Sequence, residues 1–151
     1  MSDPGENVGK ICLSFEKYHN ARTGKLDVKS RPVLIIGYED NNDTYINMDY
    51  EILPISKIGN FDPHPEYDFE LNQDDIKNLG LDYLSYIRSH KTTWSNCKHM
   101  RVESPLSDMK SIYPYLFNEI VRKNHEWVLN RTNRITENVI TATNNSDGLP
   151  F

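Results

Sequence analysis

Apolar residues along this chain come in short bursts rather than long stripes. Residues 10–15 hold Ile11, Cys12, Leu13 and Phe15 and predict a first strand. Residues 32–38 (Pro-Val-Leu-Ile-Ile-Gly-Tyr) are β-branched and apolar at consecutive positions, the pattern of a central strand covered on both faces. Between these two bursts, residues 16–30 are polar, with Gly24 and the cations Lys17, Arg22, Lys25 and Lys29. They are expected to form a long loop, a feature that in small domains is functional or mobile. Asn41-Asn42-Asp43 signals a turn. Residues 44–56 then predict another strand, or two broken near Asp49 and Tyr50.

The second half alternates short strands with helical signals. A loop over 59–66 carries Pro63 and Pro65, and residues 67–71 alternate as a short strand. Asn72 is placed to cap a short helix, with Asp75 three residues on and Gly80 as its stop. Residues 83–89 and 92–102 predict two more strands. A longer helix follows, with Pro114 near its start. In it Tyr113, Leu116, Phe117, Ile120, Val121, Trp127 and Val128 form one apolar face. From residue 130 to 151 apolar residues thin out and Asn, Thr and Ser dominate, which predicts a disordered tail. The expected organisation is a flexible stretch over 1–7, a folded domain over 8–129 and the tail over 130–151. The fold class is mainly β with helices (α+β): a small, partly open β-barrel with a C-terminal helix.

Composition narrows the picture. At 151 residues with 37% hydrophobic content the chain fits one domain with a modest core. Cys12 and Cys97 show neither metal nor disulfide spacing and read as free thiols of a reducing cytoplasm. No apolar run reaches the length of a membrane span. The net charge of −5 excludes a globally basic nucleic-acid binder, so a polyanion would need a local basic surface. One exists: between Asp82 and Glu103 there is no acidic residue. Arg88, Lys91, Lys98 and Arg101 alternate there with His90, His99 and the aromatics Tyr83, Tyr86 and Trp94. Cations that track phosphates and rings that stack bases are what a single RNA strand requires. Residues 62–75, in contrast, are acidic and read as a solvated face.

Two strand ends carry the candidate chemistry. Arg31 stands directly before the apolar burst at Pro32, and Ser56-Lys57 ends the strand that contains Leu53-Pro54-Ile55. If these strands are neighbours, a guanidinium and a hydroxyl meet at one rim of the sheet and form a phosphate-sized site without a metal ligand. His19, in the polar segment near Arg22, is a candidate acid or base. His90, Cys97 and His99 lack zinc-site spacing, so no metal and no cofactor is expected.

The order of motifs resembles the MazF/PemK-type toxin family. Gly9-Lys10-Ile11 is similar to its opening, and Arg31-Pro32-Val33-Leu34-Ile35 to its Arg-Pro-Val-Leu-Val strand. Leu53-Pro54-Ile55-Ser56 resembles its third strand. Gly80-Leu81 followed by Ser85-Tyr86-Ile87-Arg88-Ser89-His90-Lys91 resembles its later segment. The likeness covers roughly residues 8–129. It implies an SH3-like barrel, a homodimer, and a metal-independent endoribonuclease that cuts single-stranded RNA at short sequences and is silenced by an antitoxin protein. Lys10 stands where the family commonly has Asp, Ser56 where it often has Thr, and no acid stands near Ser85, where some members carry one.

Metal-free RNA cleavage proceeds by attack of the 2′-hydroxyl on its own phosphate. It needs a proton acceptor, a proton donor to the leaving oxygen, and donors aimed at the phosphorane. Arg31 is the expected phosphate stabiliser and Ser56 its support. His19, Arg22, Lys25, Lys57, Arg88, His90 and Lys91 are expected to hold the RNA. The alternative is a non-catalytic small-barrel module that binds RNA or a protein partner.

Overall fold

The computed structural model describes residues 3–39, 47–59 and 61–145, of which 132–145 as backbone only. Among the described residues seven strands form a curled antiparallel sheet: β1 (Lys10–Asn20), β2 (Lys25–Tyr38), β3 (Asp49–Lys57), β4 (Asp68–Glu70), β5 (Ser85–Arg88), β6 (Thr93–Asn96) and β7 (Ser107–Asp108). Their order is β4-β5-β3-β2-β1-β7, with β6 also on β3. The helices are α1 (Gln73–Asn78), α2 (Met109–Ile112) and α3 (Pro114–Asn145). The result is mainly β with helices: a half-barrel with a C-terminal helix.

Consecutive apolar positions in β2 explain the architecture, because each face of the sheet has its own core. On one face Cys12, Val33, Ile35, Tyr50, Ile52 and Met100 pack together. On the other, Ile11, Leu34, Leu53, Ile55 and Ile87 meet Leu71, Ile76 and Leu79 near α1 and Met109, Phe117 and Ile120 of α2 and α3. The curl brings β1 across to β6: the Ser14 and Ser95 hydroxyls lie 3.3 Å apart, and Ser14 makes a bridge to Met100. Burial at this density removes the Cys12 thiol from chemistry, since it pushes its pKa up to about 12.

Two prolines decide where the sheet divides. The Leu13 carbonyl accepts from the Arg101 N–H at 2.9 Å, so Leu13 points its backbone away from β2. Its cross-strand partner is Pro32, whose nitrogen therefore faces β3 with no hydrogen to donate. The β2–β3 ladder accordingly ends at Val33–Pro54. Pro54 lies where β3 changes partner from β6, at Ile52–Thr93, to β5, at Ile55–Ile87. Beyond this point β2 stays with β1 while β3 stays with β5, and the sheet forks.

The short helix α1 forms as its sequence predicts. The Asn72 side chain accepts from the Asp75 N–H at 2.8 Å, and the Asp75 carboxylate accepts from the Asn72 N–H at 3.1 Å, a reciprocal capping box. Gly80 ends it at φ +72°, and a Cβ there would lie 2.9 Å from the Leu106 carbonyl oxygen.

One expectation is corrected, and two terminal stretches carry regular structure in their described parts. Residues 16–30 are not a loop but the outer halves of β1 and β2, paired from Phe15–Ser30 to Asn20–Lys25 around the turn at 21–24. This two-stranded arm is wetted on both faces, so its strands carry no hydrophobic alternation to announce them. Within the stretch 1–7, expected to be flexible, the described residues include a 3-10 turn over Pro4–Asn7, and buried Asn7 donates to the Tyr50 hydroxyl at 3.0 Å. The segment from 130, expected to be disordered, continues α3 to Asn145. The turn at 41–43, the start of the strand expected over 44–56, and residues 146–151 lie outside the described residues.

α3 docks through a cluster of rings. His90 lies 5.3 Å from both His64 and Trp127 between ring centroids, with Tyr67 alongside. Asn124 of α3, itself buried, donates to the Ser89 carbonyl and the Thr92 hydroxyl. The His90 side chain is 5% exposed, and its Nδ1 has no hydrogen-bond partner among the described residues. Burial lowers its pKa to about 4; Arg88, Lys91 and His64 push the same way, and only Asp68, 3.8 Å from Nδ1, opposes. A folded-state pKa below the ordinary 6.5 means that the unfolded chain takes the proton first. Stability from this site is therefore full above pH 6.5 and drains as pH falls towards 4, by about 3 kcal/mol. His90→Phe keeps a ring and removes the titration. The urea midpoint should then fall less between pH 7 and 4.5 in the variant than in the wild type. Equal losses would remove His90 as the cause.

Candidate functional site

The fork at Pro32 opens a cleft of about 500 Å³. Lys29, Ser30, Arg31 and Pro32 of β2 form one side and Ile55, Ser56 and Lys57 of β3 the other. The β2–β3 register pairs Val33 with Pro54; carried past Pro32, it sets Arg31 opposite Ser56 across the open wedge. The walls beyond are Phe61, Tyr83, Ser85 and Arg88.

Each cation in the cleft is held differently. The Arg88 guanidinium lies 3.9 Å from the Phe61 ring centroid and donates Nε–H to Asp68 at 3.1 Å. Asp68 is fully buried and also accepts the His64 N–H at 2.7 Å, so it ties the 61–67 segment to β5. The Lys57 ammonium lies 4.4 Å over the exposed Tyr83 ring, and the Lys29 ammonium 4.6 Å over Tyr18. Among the described residues Arg31 makes a single ion pair, Nε to Glu16 Oε2 at 3.3 Å, with both side chains more than a third exposed. A pair so open to water contributes little to stability, and its guanidinium exchanges partners readily. Ser85 is buried, and its hydroxyl donates to the Tyr83 carbonyl at 2.6 Å, which fixes the turn that presents Tyr83.

Of the residues singled out from the sequence, Arg31, Ser56, Lys57 and Arg88 converge here. His19, Arg22 and Lys25 do not: they sit at the far end of the arm and its turn. His19 pairs with Leu26 on the face opposite to that of Arg31, so it is not placed to act on anything Arg31 holds. His90 is enclosed in the ring cluster, and Lys91 is exposed but outside the cleft. Trp94 lies on β6 opposite Glu51, away from the lining. Sequence reasoning missed Lys29, Ser30, Phe61 and Glu16. Lys29 and Glu16 were hidden because residues 16–30 carry no strand period; the alternation of Leu26 and Val28 beyond Gly24 is the one local signal of the arm.

No group of three or more His, Cys, Asp or Glu side chains is placed to hold a metal ion among the described residues. No described helix is long and apolar enough to cross a membrane. The cleft as built can bind an anion through Arg31, Lys57 and the Ser56 hydroxyl and can stack a flat ring on Tyr83. Comparison with protein-family models, with curated proteins and with solved structures finds no match.

The Asp68 anchor is testable alone. Asp68→Ala leaves Arg88 and the His64 N–H without their acceptor in a buried setting and should cost about 3 kcal/mol in urea denaturation. Stability equal to wild type would show that Asp68 does not hold this wall.

Proposed function

We propose that the chain is a metal-independent endoribonuclease of the MazF/PemK type acting on single-stranded RNA. The observation that carries this reading is the convergence of Arg31 and Ser56 across the fork, in a cleft lined by four cations in a chain of net charge −5. A local basic cleft in an acidic protein draws a phosphate backbone to one place. The openness of the wedge suits a single strand, and Tyr83 gives a base a ring to stack on.

On this reading the RNA 2′-oxygen attacks the adjacent phosphorus and the 5′-oxygen leaves, giving a 2′,3′-cyclic phosphate. Arg31 donates to the equatorial oxygens as negative charge grows on them, and Ser56 adds a hydroxyl donor. Lys57 screens the strand. Glu16 is released from Arg31 when phosphate arrives, at small cost. The protein is then a cytoplasmic toxin that cuts mRNA and is silenced by an antitoxin protein. Its homodimer is supported by the outer face of the arm, where Leu26 is 75% and Val28 55% exposed beside Phe15. The alternative, a non-catalytic module that binds RNA or a protein, is favoured by one observation: the lining holds neither a histidine nor a carboxylate to accept a proton.

The deciding experiment incubates the pure protein with a long single-stranded RNA in excess chelator. Discrete cuts are expected. Arg31→Ala should lower the rate at least about a hundredfold and Ser56→Ala about tenfold, both folded by circular dichroism. A folded wild type that leaves the RNA intact would reject the nuclease, and retention in a gel shift would then select the binding module.

A further inference from the structure

We propose that Glu16 is the general base that takes the 2′-hydroxyl proton. The inference rests on the nuclease reading and supplies the group its cleft lacks. The polar side chains of the lining are guanidinium, ammonium, serine and tyrosine, with no carboxylate or imidazole among them. A proton acceptor must therefore come from the rim.

Glu16 is where it comes from. It stands on β1 directly opposite Lys29, and side chains on a strand alternate, so Glu16, Lys29 and Arg31 share one face of the arm. Lys29 and Arg31 both line the cleft. The Glu16 carboxylate touches Arg31 through Oε2 at 3.3 Å and has no other partner among the described residues. Its side chain is 37% exposed, so the carboxylate is open to solvent. In the substrate, the attacking 2′-oxygen and the non-bridging phosphate oxygens are close neighbours. An adjacent carboxylate and guanidinium match that spacing, one for the proton and one for the charge.

The step balances within the RNA and water. Glu16 takes the proton from the 2′-oxygen as the 2′-oxygen–phosphorus bond forms. The phosphorus–5′-oxygen bond breaks, and the departing oxygen takes a proton from water in the open cleft. Glu16 then returns its proton to solvent.

The test compares wild type, Glu16→Gln and Glu16→Asp. Each is assayed for cleavage of a single-stranded RNA and for binding of its 2′-deoxy analogue, which cannot be cut. Glu16→Gln should lower kcat at least about a hundredfold, within the range for a lost general base. Its affinity for the analogue should be equal or higher, because a negative charge beside Arg31 is gone. Glu16→Asp should recover part of the rate. If Glu16→Gln cleaves at or above the wild-type rate, Glu16 only screens Arg31 and the proposal falls. If it loses binding and rate together, Glu16 is structural and the proposal falls too. A wild type that binds the analogue but never cuts RNA overturns the nuclease reading itself, a result readily told apart from failure of the variant alone.

Discussion

A proline nitrogen without a hydrogen sets the geometry of this protein. The side of the strand to which a residue directs its backbone alternates along the chain, and Leu13 and Pro32 form a pair turned away from each other. Pro32 therefore meets β3 at the position where a donor is required, and the ladder ends one residue earlier, at Val33–Pro54. The cleft is what remains when two strands part at a fixed register. Arg31 faces Ser56 because the strands were in register until Pro32, and they are separated because Pro32 could not continue the ladder. Pro54 performs the complementary task on the far edge of β3, where it occupies the gap between β6 and β5 and so tolerates an unpaired backbone.

Much of this was legible in the sequence. The unbroken apolar burst over 33–36 announced a central strand with a core on each face, and both cores are present. The cap at Asn72 and the stop at Gly80 are short-range signals decided by backbone chemistry within a few residues, and they appear in place. Arg31, Ser56, Lys57 and Arg88 were found because each ends or begins a strand whose apolar part is easy to see. The arm was illegible because its pairing depends on register inherited from the buried halves of β1 and β2, not on a pattern of its own. The placement of the histidines was illegible for a related reason. His19 and His90 differ in fate only through tertiary position: one is carried out on the arm, the other enclosed by Trp127, which arrives from more than thirty residues away.

The two arginines of the cleft show how environment divides the labour between like residues. Arg88 is held by a fully buried carboxylate and stacked on a ring, so it is rigid and its charge is largely answered. Such a group shapes a wall. Arg31 is held by one exposed carboxylate, and the cost of releasing it is small. Such a group can exchange its carboxylate for another anion at small cost. The same chain thus contains a guanidinium suited to architecture and another suited to chemistry, and burial of the partner makes the difference.

On the nuclease reading that difference also separates the carboxylate beside Arg31 from the one beside Arg88. A base must reach the substrate and shed its proton to water, which buried Asp68 cannot do and exposed Glu16 can. The arm that carries Glu16 meets solvent on both faces, because the fork at Pro32 freed it from β3. The same missing hydrogen that opens the cleft therefore also brings a solvent-accessible acid to its edge, and on the proposed reading the binding site and its proton acceptor have one structural cause.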